Sequence, residues 1–207
     1  MPPLHAVTDD EVLAGLDFLR HACSVLRAGG SSVALHLRGP RTHGRRLYEL
    51  AAELVPVARS VGAVVLVNDR VDVALATGAH GVQLGRRGIA PSDARRLVGP
   101  ARLLGCSVST PAEGRAAVSG GADFLLVGNL YSTDSHPGRP GTGPERLGEL
   151  LELGVPLVGI GGITPERVPE VRRARAQGVA CIRAIWGAGD PTGVVVRFLD
   201  AWSDSDA

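Results

Sequence analysis

The chain has 207 residues and nearly balanced charge, with 22 basic side chains against 21 acidic ones and a formal net charge of +1. That length suits one compact domain, because α/β barrels commonly run as single units of roughly 200–250 residues. There is no basic block and no aromatic stacking series, which excludes a nucleic-acid partner, and no apolar run reaches the ~20 residues needed to cross a bilayer.

The N-terminus lacks a secretory signal pattern, and Cys23, Cys106 and Cys181 are odd in number and widely spaced. Both features predict a cytoplasmic protein with reduced core thiols. Cys106, near a strand end, is the best placed of the three to act as a nucleophile. All 22 basic residues are arginine. A Schiff-base mechanism through lysine needs a deprotonated amine, so lysine-dependent aldolase chemistry is ruled out.

Apolar runs of strand length fall at Leu4–Thr8, Val33–Leu37, Ala63–Val67, Gly81–Leu84, Arg102–Val108, Phe124–Val127, Pro156–Ile160 and Val179–Ile182. Amphipathic stretches of helical period lie between them at Arg45–Ser60, Pro91–Val98, Thr110–Ser119, Pro144–Leu153 and Pro165–Arg175. Several open on or beside a proline, which suits the first turn of a helix. Strands alternating with helices predict βαβ crossovers and a parallel sheet. Eight such units over residues 1–200 fit a closed (β/α)8 TIM barrel in a single domain. The competing doubly wound sheet would carry a glycine-rich loop after the first strand, where this chain has Thr8-Asp9-Asp10. Residues 201–207 read as an acidic, frayed tail.

Barrel chemistry is expected at the carboxyl ends of the strands. In chain order those ends offer Asp9 and Asp10, then Arg38, Asn68 and Asp69, Gln83, Ser107 and Ser109, and Asn129. His36 falls one layer below Arg38 on the same side of its strand, as a buried structural histidine or as an acid–base group acting from beneath. After the seventh strand, Gly161-Gly162-Ile163-Thr164-Pro165 places a glycine pair before a helix start, and Arg183-Ala184 follow the eighth. Backbone N–H groups exposed at such a junction suit a phosphate, although tight packing alone would also require the glycines. The irregular stretch 132–143 is rich in Gly, Pro and hydroxyls and reads as a lid, with Arg139 and His136 able to meet an anionic substrate, or as a plain surface loop.

Ordered along the chain are Leu4-His5-Ala6-Val7-Thr8-Asp9-Asp10, Leu35-His36-Leu37-Arg38, Val67-Asn68-Asp69-Arg70, Gly81-Val82-Gln83-Leu84-Gly85, Gly105-Cys106-Ser107, Val127-Gly128, Thr133 and Ile160-Gly161-Gly162-Ile163-Thr164. This series resembles the family of thiamine phosphate synthase and its relative, the thiazole tautomerase of thiamin biosynthesis. The resemblance covers nearly the whole chain. It implies a (β/α)8 barrel and a thiazole phosphate as ligand, and makes a homodimer a reasonable expectation.

Within that family the two activities imply different residues. A synthase joins a pyrimidine diphosphate to the thiazole phosphate with Mg2+, and here could draw on Arg38, Asn68, Asp69, Ser107 and Thr133. Its lysine after the strand-two arginine is Pro40, its strand-four histidine is Gln83, and its second metal-binding aspartate is Gly88. Asp69 would then be the one carboxylate left for the metal. A tautomerase needs no metal, and its pattern is similar at Val82-Gln83-Leu84, Ser132-Thr133-Asp134 and Thr164-Pro165. Its proton carriers are replaced by Asn129 and Gly39. The expected activity is therefore tautomerase-like without a metal cofactor, with His136 or His36 supplying the proton. Arg38 would hold the substrate carboxylate, Asn129 would orient the ring, and Gly161, Gly162, Arg183 and Ala184 would hold the phosphate. The alternatives are the synthase and a non-catalytic binder of the same phosphate.

Overall fold

A computed structural model describes residues 1–133 and 140–204 of the chain. Eight parallel strands close into a barrel in sequence order. They are β1 (Leu4–Val7), β2 (Val33–Leu37), β3 (Val64–Asn68), β4 (Gly81–Leu84), β5 (Leu103–Val108), β6 (Phe124–Gly128), β7 (Leu157–Ile160) and β8 (Gly178–Cys181). Closure comes from β8 pairing with β1, Leu4 standing beside Val179. The helices are α1 (Asp10–Ala14), α2 (Phe18–Gly29), α3 (Gly44–Val61), α4 (Val71–Thr77), α5 (Pro91–Val98), α6 (Pro111–Ser119), α7 (Glu145–Gly148), α8 (Val168–Arg173), α9 (Arg183–Trp186) and α10 (Pro191–Asp204). The (β/α)8 expectation holds, and each strand lies within one residue of its predicted ends.

The strands are buried on both faces, so they read as continuous apolar runs. Alternate residues differ only in where they are buried. Val7, Leu66, Phe124, Leu126, Val158 and Ala180 fill the barrel interior around the buried His5, His36 and Gln83. Ala6, Leu35, Val65, Val67, Leu125 and Val179 pack outward against the helices. Gly105 makes the interior filling possible, because a Cβ there would stand 2.1 Å from Gln83 Oε1 and 2.2 Å from the Phe124 ring.

Helix α3 buries Leu47, Leu50, Ala51, Leu54, Val55 and Ala58, a stripe at helical spacing, and ends on the left-handed Gly62 (φ 74°). Helix α6 starts where the Thr110 hydroxyl accepts the Glu113 N–H at 3.2 Å, with Pro111 in its first turn. Two predicted helices divide. Pro144–Leu153 becomes α7 and a 3-10 turn at Leu151–Leu153, and Pro165–Arg175 becomes a 3-10 turn at Pro165–Arg167 followed by α8. Pro169, lacking an N–H, opens the second piece of the latter. The segment expected to fray is helical as far as Asp204, with Ala201 and Trp202 packed on the core, and 205–207 lie outside the described residues. No described helix is long and apolar enough to cross a membrane.

Candidate active site

Adjacent strands bring Arg38, Asn68, Asp69, Gln83, Ser107, Asn129, Gly161, Gly162, Arg183 and Ala184 to the same end of the barrel, one strand end after another. Thr133 follows β6 on that rim, whereas His136 and Arg139 lie outside the described residues. Asp9 and Asp10, read as possible site residues, do structural work instead. Asp9 caps α1 by accepting the Val12 N–H, and Asp10 holds the Arg41 N–H at 2.9 Å and the Thr42 hydroxyl at 2.8 Å.

His36 does not reach the mouth. It is fully buried, and its Nε2 lies 2.8 Å from His5 Nδ1, while His5 Nε2 lies 3.1 Å from the Pro2 carbonyl. A carbonyl only accepts, so His5 carries its proton on Nε2, and His36 Nε2–H donates to the bare His5 Nδ1. Burial holds His5 down at about 4 and His36 well below the usual imidazole range. The pair is a neutral, sealed layer and not the acid–base group expected as one option. Cys106 is buried too, and burial pushes its thiol up to about 11, which rules it out as a thiolate nucleophile near neutral pH.

On the β2–β5 side of the mouth the polar groups are side chains. The buried Thr8 hydroxyl donates to the Arg38 carbonyl and accepts the Arg38 N–H, both at 2.8 Å, which fixes the backbone that carries the guanidinium. Asp69 takes a left-handed conformation (φ 59°), and its Oδ1 accepts the Gly85 N–H at 2.7 Å. Gln83 is fully buried and donates through Nε2 to Ser107 Oγ at 3.0 Å. Gln83, expected among the strand-end site residues, therefore supports the Ser107 hydroxyl from below.

The β6–β7 side is built differently. The Ile160 and Gly161 carbonyls accept the Leu130 and Tyr131 N–H groups at 2.9 and 3.0 Å, and the Gly162 carbonyl accepts from the Arg167 guanidinium. Arg167 lies over the Tyr131 ring, 4.4 Å from its centre, and the Tyr131 hydroxyl donates to Glu170 at 2.6 Å. In a trans peptide the N–H points opposite to the C=O. With the Gly161 carbonyl held on the β6 side, the Gly162 N–H turns away from it, and with the Gly162 carbonyl held by Arg167 the Ile163 N–H turns away from that guanidinium. Gly161 (φ 103°) and Gly162 (φ 64°) adopt conformations that suit glycine. Successive N–H groups turned out by such a bend form an anion-binding concavity. The Arg167–Tyr131–Glu170 clamp behind it escaped the sequence reading; its signal was the Glu-Arg after Thr164-Pro165.

Whether these residues suit magnesium turns on Asp69 and Asn68. No group of three or more His, Cys, Asp or Glu side chains able to hold a metal exists among the described residues. Magnesium, however, needs only one or two carboxylates when substrate phosphates complete its oxygen shell. Asp69 supplies one, and the neighbouring Asn68 Oδ1 is buried with no hydrogen-bond partner. The pair fits a magnesium ion that arrives with a diphosphate. At Gly88 a Cβ would stand 2.7 Å from Asp69 Oδ1, so the β4 loop closes on this carboxylate with its backbone.

The family description "Thiamine monophosphate synthase" matches residues 4–185. The chain belongs to that family. It is 38% identical over 202 residues to the thiamine-phosphate synthase of Roseiflexus castenholzii, covering 95% of this chain and 86% of that one. It is 40% identical over 190 residues to the synthase of Xanthobacter autotrophicus, covering 91% and 89%. Among solved structures, thiamine phosphate pyrophosphorylase from Pyrococcus furiosus superposes with a TM-score of 0.84 at 29% identity, covering 99% of this chain and 96% of that one. These findings overturn the tautomerase expectation, on which the roles of Arg38 as a carboxylate holder and of His36 and His136 as proton carriers rested. The tautomerase expectation rested on Pro40, Gln83 and Gly88 standing where a synthase has its lysine, histidine and second aspartate, and on similar short motifs. Relatives 38–40% identical along nine-tenths or more of the chain are, however, synthases.

Proposed function

We propose that this protein is a thiamine-phosphate synthase, a transferase that joins a pyrimidine diphosphate to a thiazole phosphate and releases pyrophosphate. The observation that carries this reading is that relatives 38–40% identical along nine-tenths or more of the chain bear that name. In the reaction the bond from the pyrimidine's methylene carbon to the diphosphate oxygen breaks, and the electron pair leaves on pyrophosphate. The thiazole nitrogen forms the new bond to that carbon. No side chain has to shuttle a proton, which suits a mouth with an amide at Asn129 and its histidine pair sealed below.

The two anions of this reaction go to the two sides of the mouth. Arg38 and the Ser107 hydroxyl hold the diphosphate, and Asp69 and Asn68 would hold the magnesium that accompanies it. The ion supplies positive charge to the leaving group. The N–H groups of the Gly161–Gly162 turn, beside Arg183 and Ala184, take the phosphate of the thiazole. Purified protein given both substrates and magnesium should release pyrophosphate and thiamine phosphate in equal amounts, and neither substrate alone should do so. Conversion of a carboxythiazole phosphate without magnesium, and no pyrophosphate release, would reverse the reading.

A further inference from the structure

We propose that Asn129 positions the thiazole phosphate in this site and that it does so as a matched pair with Gly161; this rests on the synthase reading above. Both ends of the Asn129 amide, Nδ2 and Oδ1, are buried without a hydrogen-bond partner. A buried amide left unpaired costs the desolvation of both groups, and such a group calls for an explanation. The backbone that carries the amide is held in place. Its own carbonyl accepts from the Thr142 N–H at 2.9 Å and hydroxyl at 3.1 Å, and the next two N–H groups bond to the Ile160 and Gly161 carbonyls.

The amide lies over Gly161. A Cβ at Gly161 would stand 1.8 Å from Asn129 Oδ1 and 2.8 Å from its Cγ, so the amide occupies the room a side chain there would need. That puts an unengaged amide, on a fixed backbone, over the turn whose N–H groups would take the phosphate. Since neither end is engaged, nothing opposes the rotamer that turns Nδ2 to the turn. Donation from Nδ2 to a phosphate oxygen is charge-assisted, and a neutral amide offers it at every pH. The ligand group read in this way is the phosphate monoester of the acceptor substrate, not the diphosphate of the donor.

Thermal-shift titrations of wild type and Asn129→Leu with the thiazole phosphate, the dephosphorylated thiazole and the pyrimidine diphosphate test this. Leucine keeps the volume and removes both unpaired groups, so the ligand-free variant should melt above wild type. Its half-saturation by thiazole phosphate should rise about ten-fold or more, with the other two ligands unmoved. Asn129→Asp, of the same shape but acceptor-only and anionic, should weaken thiazole phosphate further and provides the test should the leucine variant not fold. Either variant binding thiazole phosphate as wild type does overturns the role of Asn129. Wild type that shows no shift with thiazole phosphate overturns the synthase reading itself, and this inference with it.

Discussion

On the β2–β5 side of the mouth the groups proposed to meet a ligand are the side chains of Arg38, Asn68, Asp69 and Ser107, whereas at the end of β7 they are backbone N–H groups of the Gly161–Gly162 turn. Side chains can be exchanged singly, so charge in the first region can change one residue at a time: Asp69 is a carboxylate there, and Gly88 stands beside it. The second region is held by its carbonyl bonds to β6 and by the Arg167 clamp, and it changes only if the backbone does. A diphosphate with its metal suits the first, and a single phosphate ester suits the second.

The largest expected effect from a single variant is in the side-chain region. The Arg38 guanidinium has no hydrogen-bond or ion-pair partner among the described residues, so Arg38→Ala should leave the fold intact. Its turnover should fall by about 10²–10³-fold in a steady-state pyrophosphate-release assay, the scale of losing one charge-stabilising donor. Retained turnover would remove Arg38 from the site.

Beneath both regions, the sealed histidines tie stability to pH. Their proton affinity is depressed in the fold, so the unfolded chain binds more protons between the ordinary imidazole range near 6.5 and about 4. Stability is therefore complete above that window and is lost as pH falls through it, by on the order of 3 kcal/mol for His5 alone. Denaturant melts at stepped pH should show this slope, and the His5→Gln, His36→Gln double variant should flatten it. An unchanged slope would assign it to other groups.

A smaller change should follow Asp69→Asn. Asparagine tolerates the left-handed backbone at this position and keeps the acceptor for the Gly85 N–H, so only charge is lost. The magnesium needed for half-maximal rate should rise by about ten-fold or more, and an unmoved requirement would place the metal elsewhere. Smallest is Thr8→Val, which removes the hydroxyl beneath Arg38 and should cost about 1 kcal/mol in a denaturant melt. A melt identical to wild type would show that the Arg38 backbone needs no support from below.

The barrel was legible because strands buried on both faces are written as unbroken apolar runs, and Val33–Leu37 or Gly81–Leu84 cannot easily be read otherwise. Helices were less legible where packing outweighs local signal. Helix α4 is seven residues long, too short to establish a period, and α10 contains Val194-Val195-Val196, which locally favours a strand. The glycine pair and Arg38 were visible as residues. The neutrality of His36 was not, because it depends on His5, 31 positions away in the chain. Asn129 was legible as a group to orient the ring, but its pairing with Gly161 was not, because it depends on a contact between residues 32 positions apart.

The division of the mouth is tested most directly by calorimetric titration of each substrate alone into Arg38→Ala and Gly161→Ala. In the second variant the added Cβ meets Asn129 Oδ1 at 1.8 Å, on a backbone with φ of 103°. The predicted result is crossed: Arg38→Ala loses the pyrimidine diphosphate and keeps the thiazole phosphate, while Gly161→Ala does the reverse. Equal weakening of both substrates in both variants would mean that the two anions share one site, and would contradict the account.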